Sequence, residues 1–360
     1  MPILKGRSPD LQALEKASDL VKRNIRPIVE VVPRGDDKDI KTTVERTVGQ
    51  VKRYGLRDLV VAFDAAPLRV RFGESASMEA LHLLDAELRT FDFSCRPVVR
   101  PEDDPRTLEG VRHMVGTHHL GVCLRVNEPY VYTLSDSRIL LEQLDALGLA
   151  AEQADVVLDC GFIRDVHDTA DRLSGPLRHL QEHPWCSVTI VAGSFPGPDF
   201  FANTPRRRVM SIPRLEAALW TRVSRRWPEV HYGDYGVDHP GPPSEGLRPD
   251  PNLRYTVDRE WRFYRQPKDT GGRHRLFHRL CRDLLKSPDW PLEGSAFSWG
   301  DDRIASAARE DIGPGSGAEW KAYSVSHHLA VIVALLESEY VPQRAASPAG
   351  MSDGHGGTRT

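Results

Sequence analysis

Val156-Val157-Leu158-Asp159-Cys160-Gly161 is a short run of branched apolar residues that ends in a carboxylate and then a glycine. A strand buried on both faces reads as a continuous apolar run, and a charge at its very end has to leave the packed interior. Asp159 is therefore expected at the C-terminal mouth of a strand. The same shape recurs along the chain: Pro2-Ile3-Leu4 ends in Lys5, Pro27-Ile28-Val29 in Glu30, Val60 to Phe63 in Asp64, Pro97-Val98-Val99 in Arg100 and Val122-Cys123-Leu124 in Arg125. After the opening stretch, Val188 to Gly193 ends in Ser194 and Val230 to Gly233 in Asp234.

These eight strands alternate with segments of helical periodicity, which implies parallel βαβ units with right-handed crossovers. Eight such units most economically close into a (β/α)8 TIM-type barrel, a fold whose strand ends converge on one face. The helices read as Ser8 to Arg23 with Ser8 as N-cap, Asp39 to Tyr54, Ala76 to Thr90, Pro105 to Gly116, Ser135 to Leu147, Val166 to Glu182 and Pro213 to Trp227. The barrel needs one more helix, and Trp320 to Glu337, with Val325, Leu329, Ile332 and Leu336, supplies it. The expected organisation is thus a barrel body over 1–236, a lid-like insertion over 237–319 between strand eight and the last helix, a closing helix over 320–340 and a flexible tail over 341–360. The insertion holds a pair of strand-like runs from Leu253 to Gln266, a helix near Leu276 to Lys286 and a loop from Phe297 to Asp302. Its Trp261, Phe263, Tyr264, Trp290 and Trp299 argue for an ordered lid or binding element.

Composition narrows the classes. The 360 residues contain 40% hydrophobic positions, enough for a large core, and 48 basic against 51 acidic residues give a formal charge of -3. That balance lacks the basic footprint of a nucleic-acid binder. The five cysteines are scattered without a CxxC, which fits a reducing, cytoplasmic compartment. No apolar run reaches the roughly 18 residues of a membrane span, so no membrane partner is expected.

The chemistry is expected in the ring of strand ends: Lys5, Arg100 and Arg125 as cations, Glu30, Asp64, Asp159 and Asp234 as carboxylates, and Ser194 as a hydroxyl. In an enzymatic reading Arg100 and Arg125 clamp a phosphate or carboxylate, with Ser194 as a further substrate contact. Glu30, Asp64, Asp159 and Asp234 then act as acid and base or hold a divalent cation such as Mg²⁺, and Lys5 is an electrostatic stabiliser or a nucleophilic amine. In a structural reading the same charges form a salt-bridged collar that binds nothing, since charges in a closed mouth must pair or take ligands.

His327, near the start of the last helix, and Trp299, from the insertion, are further candidate substrate contacts. His327-His328 are neighbours and point in two directions, so they cannot chelate one metal as the HExxH spacing does. Arg206-Arg207-Arg208 follows strand seven, where barrel phosphate sites often form. No GxGxxG, Walker, GxSxG or zinc spacing is present.

Pro2-Ile3-Leu4-Lys5-Gly6-Arg7, Arg26-Pro27-Ile28-Val29-Glu30, Ser194-Phe195-Pro196, Tyr232-Gly233-Asp234-Tyr235 and the closing Trp320 through His327-His328, in that order, resemble the beta-protein family of tailed phages and bacterial genomes. The resemblance spans nearly the whole chain. It implies a phage or mobile-element setting, with conflict between phage and host, and transfers no catalytic residue.

Two functions fit these features. One is a hydrolase or lyase acting on a small anionic, phosphorylated substrate at the barrel mouth. The other is a non-catalytic sensor or adaptor that grips a peptide or protein partner with its aromatic insertion.

Overall fold

The computed structural model describes residues 1–344 apart from 57, 204–208, 243–249 and 267–272. Eight parallel strands, the first seven each followed by helical structure, carry the first two-thirds of the chain. They are β1 (Ile3–Leu4), then α1 (Ser8–Glu15) and α2 (Asp19–Asn24); β2 (Ile28–Glu30) and α3 (Ile40–Tyr54); β3 (Ala62–Asp64), α4 (Arg69–Phe72) and α5 (Ala76–Arg89). There follow β4 (Arg96–Val99) and α6 (Pro105–His118); β5 (Val122–Val126), α7 (Tyr130–Thr133) and α8 (Arg138–Leu147); β6 (Ala154–Phe162) and α9 (Val166–Leu180); β7 (Ser187–Gly193) and α10 (Pro198–Asn203). An added strand β8 (Val209–Pro213) and α11 (Leu215–Ser224) precede β9 (Val230–Asp234), and the chain continues through β10 (Asn252–Val257), β11 (Glu260–Arg265), α12 (Arg273–Leu285), α13 (Trp299–Ala308) and α14 (Gly317–Arg344).

Strands β1 to β7 and then β9 lie side by side in one parallel sheet, and a parallel bridge between Pro2 and Asp234 brings its edges together. The sheet is therefore a TIM-type barrel, as the strand pattern predicts. The strand periodicity of two explains its lumen. Ile3, Ile28, Ala62, Val98, Cys123, Val157 and Val191, one from each of seven strands, form a single buried cluster with Tyr235. Two residues further along six of those strands stand Lys5, Glu30, Asp64, Arg100, Arg125 and Asp159, on the same face as the apolar residue and directly above it. Two residues before Val98 and Val157 stand Arg96 and Asp155, which pair with each other, and Asp155 also accepts hydrogen bonds from Ser187 and Arg26. The lumen is thus stacked as a polar floor, an apolar middle and a charged top.

The alternate residues, Leu4, Val29, Phe63, Val99, Leu124 and Leu158, face outward into the main core beneath the helices. Helix starts are set by side-chain caps: Asp39, Asp104 and Asp165 accept from backbone amides of their first turns. The expected single helix from Ser8 is two helices, because Ser18 caps a second start at Asp19, its Oγ accepting from the Val21 amide; Ser8 lies inside α1, after an Arg7 N-cap.

The insertion has its own core. Leu253, Tyr255, Tyr264, Phe277, Leu280, Ile304 and Tyr323 pack into a second cluster of buried residues. β10 and β11 form a hairpin, but their sheet has a third member: β8, from the segment after β7, pairs antiparallel with β11. The expected loop from Phe297 to Asp302 is instead the start of α13, capped by Ser298. Arg206-Arg207-Arg208 and the tail from 345 lie outside the described residues, and among the described residues no helix is long and apolar enough to cross a membrane.

Candidate functional site

Gly6 fixes where the first charge stands. It has φ of 61°, and a Cβ there would sit 2.6 Å from the Glu30 carbonyl, so the turn leaving β1 presses against the end of β2 in a form only glycine takes without strain. Lys5 Nζ then donates to Glu30 Oε2 at 2.7 Å and to the Pro240 carbonyl at 3.1 Å.

Arg125 is the hub. Its Nη1 donates to Glu30 Oε1 at 2.8 Å and to Asp64 Oδ2 at 2.7 Å, while Nε and Nη2 hold Asp159 Oδ2 at 2.9 and 2.6 Å. Arg100 Nη2 donates to the same Asp64 oxygen at 2.7 Å. The Tyr235 hydroxyl donates to Asp159 at 2.6 Å and lies 3.1 Å from Arg125 Nη2. Three cations and three carboxylates from strands β1 to β6 thus form one continuous, charge-balanced network.

Its members are buried, with one partial exception: the Arg100 side chain keeps 13% of its surface exposed. Burial pushes the Asp64 carboxyl up, but the Arg100 and Arg125 guanidiniums more than offset this and hold it well below the usual carboxylate range. Burial and the neighbouring Asp159 charge push the Tyr235 phenol far above its ordinary value, so it stays a proton donor.

The network is incomplete at one edge. Arg100 Nε, Asn127 Oδ1 and Gln143 Oε1 are buried and have no hydrogen-bond partner among the described residues. Gln143 Nε2 donates to the Arg100 carbonyl at 2.6 Å, so the amide is oriented with its oxygen left over.

Asp234 and Ser194 do not join this ring. Asp234 Oδ2 is bonded to His328 Nε2 at 2.8 Å and accepts from the Tyr232 hydroxyl at 2.7 Å. Burial raises the Asp234 carboxyl, and His328, Tyr232 and Arg214 together hold it below its ordinary value. Arg214 Nη2 reaches Tyr232 at 2.9 Å and its Nε reaches Glu216 at 3.2 Å. Ser194 Oγ donates to Glu216, accepts from the Leu215 amide at 3.0 Å and so sits against the start of α11. The single expected ring is therefore two networks, because the carboxylate of β9 turns to the closing helix rather than to its strand neighbours.

His327 also lies apart from the ring. Its Nδ1 meets Asp301 Oδ2 and its Nε2 meets the Thr256 carbonyl, both at 2.9 Å, and its ring stacks on Tyr255 at 3.7 Å. Trp299 packs edge-on against Tyr323 in the second core. His328, Tyr235, Tyr232, Arg214 and Glu216 escaped the sequence reading. The signal for His328 was present: it is three residues after Val325 and one before Leu329, inside the apolar stripe that faces the barrel.

Among the described residues no group of three or more His, Cys, Asp or Glu is disposed to hold a metal ion. Glu30, Asp64 and Asp159, the carboxylates expected to hold Mg²⁺, all accept from Arg125 instead.

A GH18 chitinase from Pseudoalteromonas aurantia is a structural neighbour at 11% identity and a TM-score of 0.30, covering 46% of this chain and 69% of its own, a likeness too slight to bear on activity. No curated protein matches. The model of the beta protein family matches residues 1–334, nearly the whole described length, and the chain belongs to that family.

Proposed function

We propose that the chain is an enzyme acting on a small anionic, phosphorylated substrate at the C-terminal mouth of the barrel. The observation that supports this most is Arg100. Its guanidinium spends Nη2 on Asp64, leaves Nε without an acceptor, and alone among the ring side chains retains appreciable exposure. A buried guanidinium N–H without a partner is costly, and a phosphate oxygen is the acceptor it fits best. Asn127 Oδ1, on the next strand end, would take a hydroxyl from the same ligand.

Within this reading Asp64, held ionised, shapes the field, while Asp159 and Glu30 are the carboxylates left for proton transfer, with the Tyr235 hydroxyl donating a hydrogen bond that orients Asp159. Hydrolysis or elimination at a phosphorylated carbon skeleton is the matching reaction class. The setting in phage and host conflict rests on the resemblance alone.

Thermal shift with inorganic phosphate and ribose 5-phosphate tests it. Either at a hundred times its dissociation constant should stabilise the fold by about 2.7 kcal/mol. Arg100→Ala should abolish that shift. A wild-type protein indifferent to both compounds sinks the reading.

The contrasting adaptor reading draws on the completeness of the collar, in which every ring charge already has a partner. Of its aromatic residues, Trp261, Phe263 and Tyr264 are buried in the cores of the insertion and its junction, whereas Trp290 and Trp299 are only partly buried.

A further inference from the structure

β6 does not end as a regular strand. Asp159 pairs with Val191 and Phe162 with Gly193, so three residues of β6 advance against two of β7, and the extra residue makes a bulge. Gly161, with φ of 59°, sits inside it. Because side chains alternate along a strand, a one-residue slip moves Phe162 from the helix side to the face that carries Asp159. A regular strand would have buried this phenylalanine under the helices; the bulge sets it on the rim of the mouth, 37% exposed.

The ring has company there. His239, from the segment after β9, stacks on Phe162 with centroids 5.0 Å apart and planes at 25°. A Cβ at Gly197 or Gly241 would lie 3.4 or 2.9 Å from the imidazole, so close backbone approach holds that ring in place. The Arg164 guanidinium lies 5.8 Å from the Phe162 centroid. Phenylalanine, histidine and arginine are the side chains on which nucleobases stack. Burial and the nearby Lys5 charge lower the His239 pKa, which keeps the imidazole neutral. Phe162 and Arg100 stand at the ends of β6 and β4, two strand spacings apart, on the order of 10 Å. That is the scale of the reach from a base to its own 5′-phosphate.

We propose that Phe162 and His239 form the stacking platform for the base of a mononucleotide whose phosphate is held at Arg100. The inference rests on the phosphorylated-substrate reading and names its substrate class. With a net charge of -3 the chain offers no footprint for a polymer, so the ligand is a free nucleotide.

Calorimetric titration of the full chain with adenosine 5′-monophosphate, uridine 5′-monophosphate, ribose 5-phosphate and adenosine tests both parts. Stacking should make the two nucleotides bind roughly 5- to 150-fold tighter than ribose 5-phosphate. Phe162→Ala should erase that advantage and Phe162→Trp should keep it, with circular dichroism confirming the fold of each. Arg100→Ala should weaken all three phosphates and leave adenosine unchanged. Equal binding of ribose 5-phosphate and the nucleotides, or an advantage that survives Phe162→Ala, overturns the platform while leaving the Arg100 reading intact. Phe162-dependent binding of adenosine with no phosphate response supports the platform and overturns the Arg100 reading. Silence from all four probes overturns both.

Discussion

The Arg125 network and the Asp234 network both use charges at strand ends, but on opposite faces of the sheet: Asp159 pairs with the lumen residue Val191, whereas Asp234 pairs with Ala192, which faces the helices. Lys5, Glu30, Asp64, Arg100, Arg125 and Asp159 bind one another across six neighbouring strands, so the collar's ion pairs all lie within the barrel. Asp234 sends its carboxylate to His328 of α14, whose Nδ1 reaches Thr256 of β10 and whose ring stacks on Trp261 of β11. A charge at a strand end can therefore close the barrel or anchor what sits on it, and the face it takes in the strand's alternation decides which. Disrupting the first should unfold the barrel, and disrupting the second should loosen the insertion.

Arg125→Met carries the largest expected effect. It strands Glu30, Asp64 and Asp159 together without their shared cation, and removing one partner of a buried ion pair costs about 3–5 kcal/mol. Urea denaturation should show this as a large fall in midpoint for the whole chain. A loss below about 1 kcal/mol would mean that water reaches these carboxylates and the collar is not closed.

His328→Ala should cost less and cost it elsewhere. It leaves Asp234 Oδ2 with Tyr232 alone and Thr256 Oγ1 without the imidazole, a penalty of about 1–3 kcal/mol for buried polar groups. Hydrogen exchange should rise in β10, β11 and α14 while β2 to β6 stay protected. Uniform exchange through both regions would erase the distinction between the two networks.

Acid separates the carboxylates from the rest. The folded-state pKa values of Asp64 and Asp234 are depressed, so the stability they contribute is present above the unfolded value of about 3.9 and drains away as pH falls below it. Urea midpoints should therefore be flat near neutrality and drop steeply below about pH 4. Asp64→Asn should flatten the drop. A variant that keeps the wild-type slope would show that other carboxylates drive acid unfolding.

Much of this was legible in the sequence, for a physical reason. A strand buried on both faces writes itself as an apolar run, and its exit from the core writes itself as a charge, so all eight barrel strands and the six collar residues could be read from local pattern. What was not legible depends on partners far along the chain. Nothing near Val209 announces that β8 will pair with β11, since an antiparallel edge is chosen by tertiary contact. Nothing near Asp234 says that its partner is 94 residues away. The choice between His327 and His328 is a single step around a helix, and only the apolar stripe resolves it.

The smallest effect tests a feature written in one residue of the opening stretch. Gly161 occupies the left-handed region, yet a Cβ built there meets nothing within 4 Å, so a substitution costs backbone strain and no collision. Gly161→Ala should lower stability by about 1 kcal/mol, and Gly161→Asn by less, because asparagine visits that region more readily. Both should keep the collar, since Arg125 and Tyr235 hold Asp159 through their side chains, and the Gly161 amide that also donates to Asp159 Oδ1 at 3.0 Å is a backbone group that either substitution retains. If Gly161→Ala instead costs nothing, the strand has relaxed into regular register and Phe162 has turned toward the helices. Nucleotide discrimination should then disappear although no aromatic residue was touched, which would tie the platform to the bulge more directly than removal of the ring itself.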